Sequence, residues 1–238
     1  MKHASKKIIN LIYWGTLISF IVPSIYLIVR IFLSENIIST DSDPRTRAEY
    51  ILMLIQCVLG IFVIHLPAII SRRLKFDIPA ILYLIYILFL YCAIFLGEVR
   101  NFYYLIPYWD DILHCISSVM NGLFGFMVVT ILNDDKSVRL NLSPFFLALF
   151  AFCFSVTVGT IWEIYEFAAD DILGLNMQKF MLEDGTQLLG HAALIDTMKD
   201  FIVDCIGAFI ATIVGYFSIK NKRGWIHDYL TTENKDKN

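Results

Sequence analysis

Charge is what this sequence has least of. Only 17% of its 238 residues are Asp, Glu, Lys or Arg, where a soluble domain carries roughly 25%. That scarcity excludes a soluble globular domain, and a hydrophobic content of 58% shows what replaces it. Basic excess is missing too: the formal net charge is -3, so nucleic acid is not an expected partner. The five cysteines, Cys57, Cys92, Cys115, Cys153 and Cys205, form no CxxC pair. They are read as small buried hydrophobes and not as metal or redox groups. The sequence has no internal repeat, no low-complexity run and no small-residue cleavage site after the basic start MKHASKK. Its first apolar stretch is therefore expected to be retained as a span. A serine nucleophile elbow, an HExxH helix and a phosphate-binding loop are also absent, so no standard reaction announces itself.

What is present is a series of apolar runs near the roughly 20 residues that cross a hydrocarbon core of about 30 Å. They predict an all-α, polytopic membrane helical bundle of six spans, at 8–32, 49–71, 79–97, 110–132, 144–169 and 195–219. The whole of 1–238 reads as one integral membrane domain with a tail at 220–238. Pro44, Pro79 and Pro144 stand at or near helix starts, where a missing N–H costs little. Pro67 falls inside the second span and is expected to kink it.

Lysine and arginine set the orientation. With the N-terminus inside, the inner segments and tail hold thirteen of them: Lys2, Lys6, Lys7, Arg72, Arg73, Lys75, Lys136, Arg139, Lys220, Lys222, Arg223, Lys235 and Lys237. The outer segments hold six: Arg30, Arg45, Arg47, Arg100, Lys179 and Lys199. The bias predicts a multi-pass plasma-membrane protein with both termini in the cytoplasm, as six spans require.

The acids run the other way. WDDILH (109–114) opens span four, WEIYEF (162–167) closes span five, and IDTMKDFIVD (195–204) opens span six. Given the alternation of spans, all three motifs are expected at the extracytoplasmic end. Trp109 and Trp162 each precede the first acid of a motif, as interfacial aromatics do. Residues three or four apart share a helix face. On that spacing Asp110 and His114 continue through Ser117, Ser118, Asn121, Gly122 and Gly125. Ser155, Gly159, Glu163, Glu166 and Asp170 form a second stripe. Asp196, Asp200 and Asp204 lead into Gly207, Ala208, Ala211 and Gly215. Each stripe is small in its inner half and polar in its outer half. Small residues let membrane helices approach, so the inner halves should close and the outer halves open into an acidic pocket. Asp204 lies about 12 Å below Asp196 at 1.5 Å per residue. An acid at that depth costs about 2.5–3.5 kcal/mol, which calls for a partner such as His114, a cation or a shared proton.

Plainer readings exist for each piece. Asp110 and Asp111 suit the positive end of a helix dipole, and His114 alone is a buried hydrogen-bonder. Glu163 and Glu166 fit ordinary interfacial charges. Asp196 could be an N-cap, with Lys199 and Asp200 a solvated first turn. Asp204 fits none of these. His65 reads as structural, and Asp134, Asp135 and Asp228 as cytoplasmic surface charge. Glu98 and Arg100 are expected near the pocket rim, and loop 170–194, with its glycine turns, as a cover.

Together the three motifs, D-x-x-x-H, E-x-x-E and D-x-x-x-D-x-x-G-A, resemble the VanZ-like superfamily of bacterial integral membrane proteins. WDDILH, WEIYEF and DTMKDFIVDCIGA are closest to its YjdF-like branch. The match runs over about residues 98–219, and spans one to three match only as hydrophobic helices. The resemblance implies an integral protein of a bacterial plasma membrane. VanZ itself is associated with teicoplanin resistance. This sequence departs from it in Glu166, where VanZ has a Gln-type partner, and in the additional Asp204. The resistance role is therefore not carried over. CDP-alcohol phosphotransferases also space aspartates on membrane helices, but their D-x-x-D-G-x-x-A-R block is absent.

Three functions stay open. The first is an envelope-facing enzyme or binding site for a lipid or lipid-linked ligand. Asp110, His114, Glu163, Glu166, Asp200 and Asp204 are its candidate ligands for a divalent cation, since carboxylates and one imidazole suit Mg, Mn or Zn. His114, Glu163, Glu166 or Asp200 would then act as general base. The second is a proton- or cation-coupled transporter, because intramembrane acids mark ion paths. Against it, the inner halves are lined by small apolar residues and no inverted repeat is visible. The third is a non-catalytic structural, sensory or resistance-accessory protein using the cluster for cation-dependent packing.

Overall fold

Long apolar stretches have nowhere to satisfy their backbone groups in lipid except within a helix, and helices are what this chain forms. The structure is a computed structural model, and it describes residues 2–33, 47–74, 78–134, 142–182 and 186–222. Helices α1 (Lys2–Leu33), α2 (Arg47–Val63), α3 (Leu66–Leu74), α4 (Ala80–Leu90), α5 (Phe102–Leu105), α6 (Trp109–Asp134), α7 (Pro144–Leu173) and α8 (Ile195–Lys220) succeed one another along the chain. A π-helical stretch, Tyr91–Val99, extends α4, and a 3-10 turn, Gly190–Leu194, leads into α8. No strand is present among the described residues beyond one isolated bridge, Met181 to Gln187. Among the described residues six helical segments are long and apolar enough to cross a membrane: Lys7–Phe32, Glu49–Arg73, Ala80–Val99, Trp109–Thr130, Pro144–Leu173 and Gly190–Lys220. The expected all-α, six-span class is therefore what the chain adopts. Pro44, Arg45, Lys75, Asp135, Lys136, Arg139, Arg223, Asp228, Lys235 and Lys237 lie outside the described residues.

The chain divides into two compact units, Met1–Trp109 and Asp110–Asn238. The first is held by large side chains. Leu17, Phe20, Ile64, Ile87 and Leu90 form one buried cluster, and Leu27, Tyr50 and Met53 another. Pro67 does more than kink the second span: it divides it, with Ile64 and His65 in a turn between α2 and α3. A proline cannot donate to the carbonyl four residues back, here that of Val63. The Tyr86 hydroxyl donates to that oxygen instead, at 2.7 Å. His65 Nδ1 lies 3.2 Å from the Tyr13 hydroxyl, and Gln56 Nε2 donates to Glu98 Oε1 at 3.1 Å.

The second unit has one cluster of large side chains, Phe126, Val129 and Leu147 with Ala151, and a stripe of small residues beside it. Ser143 caps α7, accepting from Phe146 N at 3.3 Å, and Pro144 takes the first helical position. At the far end α7 runs past the expected residue 169 to Leu173, stopping only at Gly174 with φ 66°. Gly207, Ala208, Ala211 and Gly215 are buried along α8. At Gly207 another helix's backbone comes close: a Cβ there would stand 2.7 Å from the Cys115 carbonyl oxygen. The cysteines depart from expectation, since Cys57 alone is buried and Cys153 and Cys205 are exposed. On the outward face of a membrane helix a thiol is still a small hydrophobe, so lipid accepts it as a core would.

Candidate functional site

The three acidic motifs meet. WDDILH supplies the first turns of α6, WEIYEF the last turns of α7, and IDTMKDFIVD the first turns of α8. His114 is at the centre, 6% exposed. Its Nδ1 lies 3.3 Å from Asp204 Oδ1. Its Nε2 faces Asp110 Oδ1 at 3.8 Å and Glu163 Oε1 at 3.9 Å. One ligand atom from each of Asp110, His114 and Asp200 falls within 4.8 Å of the others. With bonds of about 2.0–2.2 Å in a tetrahedral site, neighbouring ligand atoms stand about 3.3–3.6 Å apart. The set would close by up to about 1.5 Å on taking up an ion. Oxygen donors with one imidazole are a donor set for Mg, Mn or Zn.

Burial makes the cluster costly. Glu163, Asp200 and Asp204 are 3%, 2% and 1% exposed. Neither oxygen of Glu163 has a hydrogen-bond partner, and Oδ2 of Asp196, Asp200 and Asp204 has none either. The Gln178 amide and Thr197 hydroxyl near Glu163 bond to each other, at 2.9 Å. Buried polar atoms are nearly always paired, and an unpaired buried charge costs several kcal/mol. Glu166 is buried as well, and its Oε1 accepts from the Trp162 indole at 2.9 Å on its own helix. It is not among the three converging ligands.

The plainer readings of span six give way here, and Asp170 takes a different role. Asp196 does not cap α8: the helix starts directly from the 3-10 turn with Leu194 at its N-cap. Asp200 is not part of a solvated turn but buried, and Lys199 Nζ pairs with Asp111 Oδ2 at 2.5 Å. Asp170 leaves the stripe to hold the following loop, its two oxygens accepting from Met177 N at 2.6 Å and Gln178 N at 2.9 Å.

Lys179, by its position only one of the outer-loop charges, reaches the cluster. The segment after Gly174 is folded on itself by Asn176, whose side chain bonds the backbone of Met181 at 2.8 and 2.9 Å. This sets Lys179 Nζ 2.5 Å from Asp110 Oδ2 and 3.0 Å from Asp196 Oδ1. Burial draws the ammonium's pKa down, yet the two carboxylates outweigh it and hold it above the ordinary lysine value. A signal was available: Lys179 is the sole Lys or Arg in 170–194. Residues 183–185 of that loop lie outside the described residues.

Six apolar helices and a buried ionisable cluster define the chain as a polytopic integral membrane protein. A family described as "Predicted membrane protein (DUF2238)" matches residues 23–221, and the chain belongs to that family. A relative from Thermotoga maritima named "Uncharacterized protein" is 34% identical over 122 residues, which are 51% of this chain and 54% of that protein. The chain thus spans about half the length of the curated relative it matches. No solved structure matches.

Proposed function

We propose that Asp110, His114 and Asp200 hold a divalent cation, with Glu163 beside them to complete its shell or serve as general base. The observation that carries this reading is Glu163, a carboxylate 3% exposed with neither oxygen hydrogen-bonded, directed at His114 Nε2. The Gln178 and Thr197 side chains and the His114 ring offset that charge only in part, and a cation would complete the compensation. By the lysine and arginine bias the cluster faces the extracytoplasmic side of a bacterial plasma membrane. A cation there would act on, or bind, a lipid or lipid-linked envelope ligand through its negative headgroup. The motifs make the chain a member of the YjdF-like branch of the VanZ-like superfamily in this reading.

The test is calorimetric titration of the purified full chain with Zn²⁺ and Mn²⁺. Wild type should bind one ion per chain, and Asp200→Asn should bind at least about 100-fold more weakly. Equal and negligible binding by both would remove the cation.

A second reading has its own observation. Lys179 already bridges Asp110 and Asp196, so the cluster can be a clasp between loop and helices in a non-catalytic protein. In that case Lys179→Met should lower the melting temperature as much with Zn²⁺ present as without it.

A further inference from the structure

We infer that Asp204 is a positioning residue that fixes the orientation of the His114 ring, not a ligand; the inference rests on the cation site proposed above. Asp204 Oδ1 is taken twice, by the Ser118 hydroxyl at 2.6 Å and by His114 Nδ1 at 3.3 Å. The serine donates to that oxygen, and with Asp204 ionised the ring nitrogen facing the same oxygen carries its hydrogen and donates as well. His114 and Ser118 are one turn apart on α6, so a single oxygen on α8 serves both. The other oxygen, Oδ2, is turned towards Gly159, and a Cβ on that residue would collide with it. Glycine there makes the room this carboxylate occupies. Ser155, one turn earlier on α7, donates to the Ser118 carbonyl at 2.8 Å and holds that turn of α6 in place.

The consequence falls on the opposite side of the ring. With Nδ1 committed to Asp204, Nε2 is left to face Asp110 and Glu163 at 3.8 and 3.9 Å. Asp204 is absent from the converging set of Asp110, His114 and Asp200. A carboxylate behind a ligating imidazole fixes its tautomer and raises its basicity, and losing such a partner typically weakens metal binding 10–100-fold. The cluster itself is pointed at a ligand by a second observation: the buried, unpartnered oxygens of Glu163 and Asp200.

The experiment is nitrogen NMR of ¹⁵N-histidine-labelled full-length protein in detergent, with and without Zn²⁺, paired with Zn²⁺ calorimetry. The His114 signals are assigned by their loss in His114→Gln. In wild type, Nδ1 should carry a proton in both states, and Nε2 should carry the zinc. Asp204→Ala should release Nδ1 and weaken zinc binding about 10–100-fold. Asp204→Asn keeps an acceptor oxygen and should restore the Nδ1 proton and most of the affinity. Losses of equal size in Ala and Asn would make Asp204 a ligand and overturn the inference, as would zinc on Nδ1 or an unprotonated Nδ1 in wild type. If wild type binds no zinc, the cation site fails. The metal-free spectra then decide this inference alone, with Nδ1 protonated in wild type and Asn but not in Ala. An Nδ1 proton unchanged in Ala overturns it in either case.

Discussion

The two units solve the problem of polar groups in a membrane in opposite ways. In the first, polar side chains are matched pair by pair, Tyr86 to the Val63 carbonyl, Gln56 to Glu98 and Tyr13 to His65, with only the Trp109 indole N–H left over among the buried side-chain atoms of the described residues. In the second, polar atoms are gathered and left partly unmatched. Among the described residues every buried carboxylate and imidazole, His114, Glu163, Glu166, Asp170, Asp200 and Asp204, belongs to the second unit. So does every buried carboxylate oxygen without a partner. The first unit behaves as a scaffold whose polar groups secure helix breaks and contacts. The second carries a cost that only a ligand, a proton or function explains, because unpaired buried charge weakens a fold.

Packing offers the strongest way to break this comparison. Gly207 meets a backbone oxygen, which cannot move aside, so Gly207→Ala should cost about 3 kcal/mol of unfolding free energy. Gly60 in the first unit meets the tip of Ile94 and the ring edge of Phe20, side chains and not backbone, and Gly60→Ala should cost about 1 kcal/mol. Denaturant titration in mixed micelles measures both; equal losses would erase the distinction.

Opposite signs are expected from the polar groups themselves. Glu163→Gln removes a buried charge whose nearest ionisable partner, His114 Nε2, is 3.9 Å away, and should stabilise the metal-free protein by about 1 kcal/mol while abolishing the gain in melting temperature with Zn²⁺. Gln56→Leu strips a donor from Glu98 and should destabilise by about 1 kcal/mol. Destabilisation by Glu163→Gln in metal-free buffer would mean that the residue is matched after all. Tyr86→Phe leaves the Val63 carbonyl without its hydroxyl donor, at a cost of about 0.5–1.5 kcal/mol, read from the same titrations.

The smallest effect concerns pH. Lys179 has its pKa raised on folding, so its contribution is full below the ordinary lysine value of about 10.4 and fades only as pH passes the higher folded value. Proteolysis within 174–182 should therefore stay slow up to about pH 10 in wild type and be faster in Lys179→Met at every pH. Protection that disappears by pH 8 would contradict the pairing with Asp110 and Asp196.

Much of this was legible in the residues. Apolar run length identified six spans, and helical spacing placed Asp110, His114, Glu163, Asp200 and Asp204 on faces that do meet. The failures share a cause. Asp170, Asp196 and Lys199 were read from their own helix, but their partners, the Met177 and Gln178 amides, Lys179 and Asp111, are in other segments. The division of span two at Pro67 could be anticipated only as a kink, since what stabilises a full break is a hydroxyl from residue 86.

The sequence alone determined the class of this protein and the residue types at its polar centre. Those follow from local quantities: the length of an apolar run against the thickness of a bilayer, and the 3.6-residue turn that aligns a stripe. Tertiary structure alone decided the roles within that centre. Whether a carboxylate faces a lysine, a backbone amide, a histidine nitrogen or nothing depends on which helix stands opposite at that height. That is why Asp170 holds a loop and Asp110 meets Lys179, while Asp204 sits behind the His114 ring with Gly159 making its room.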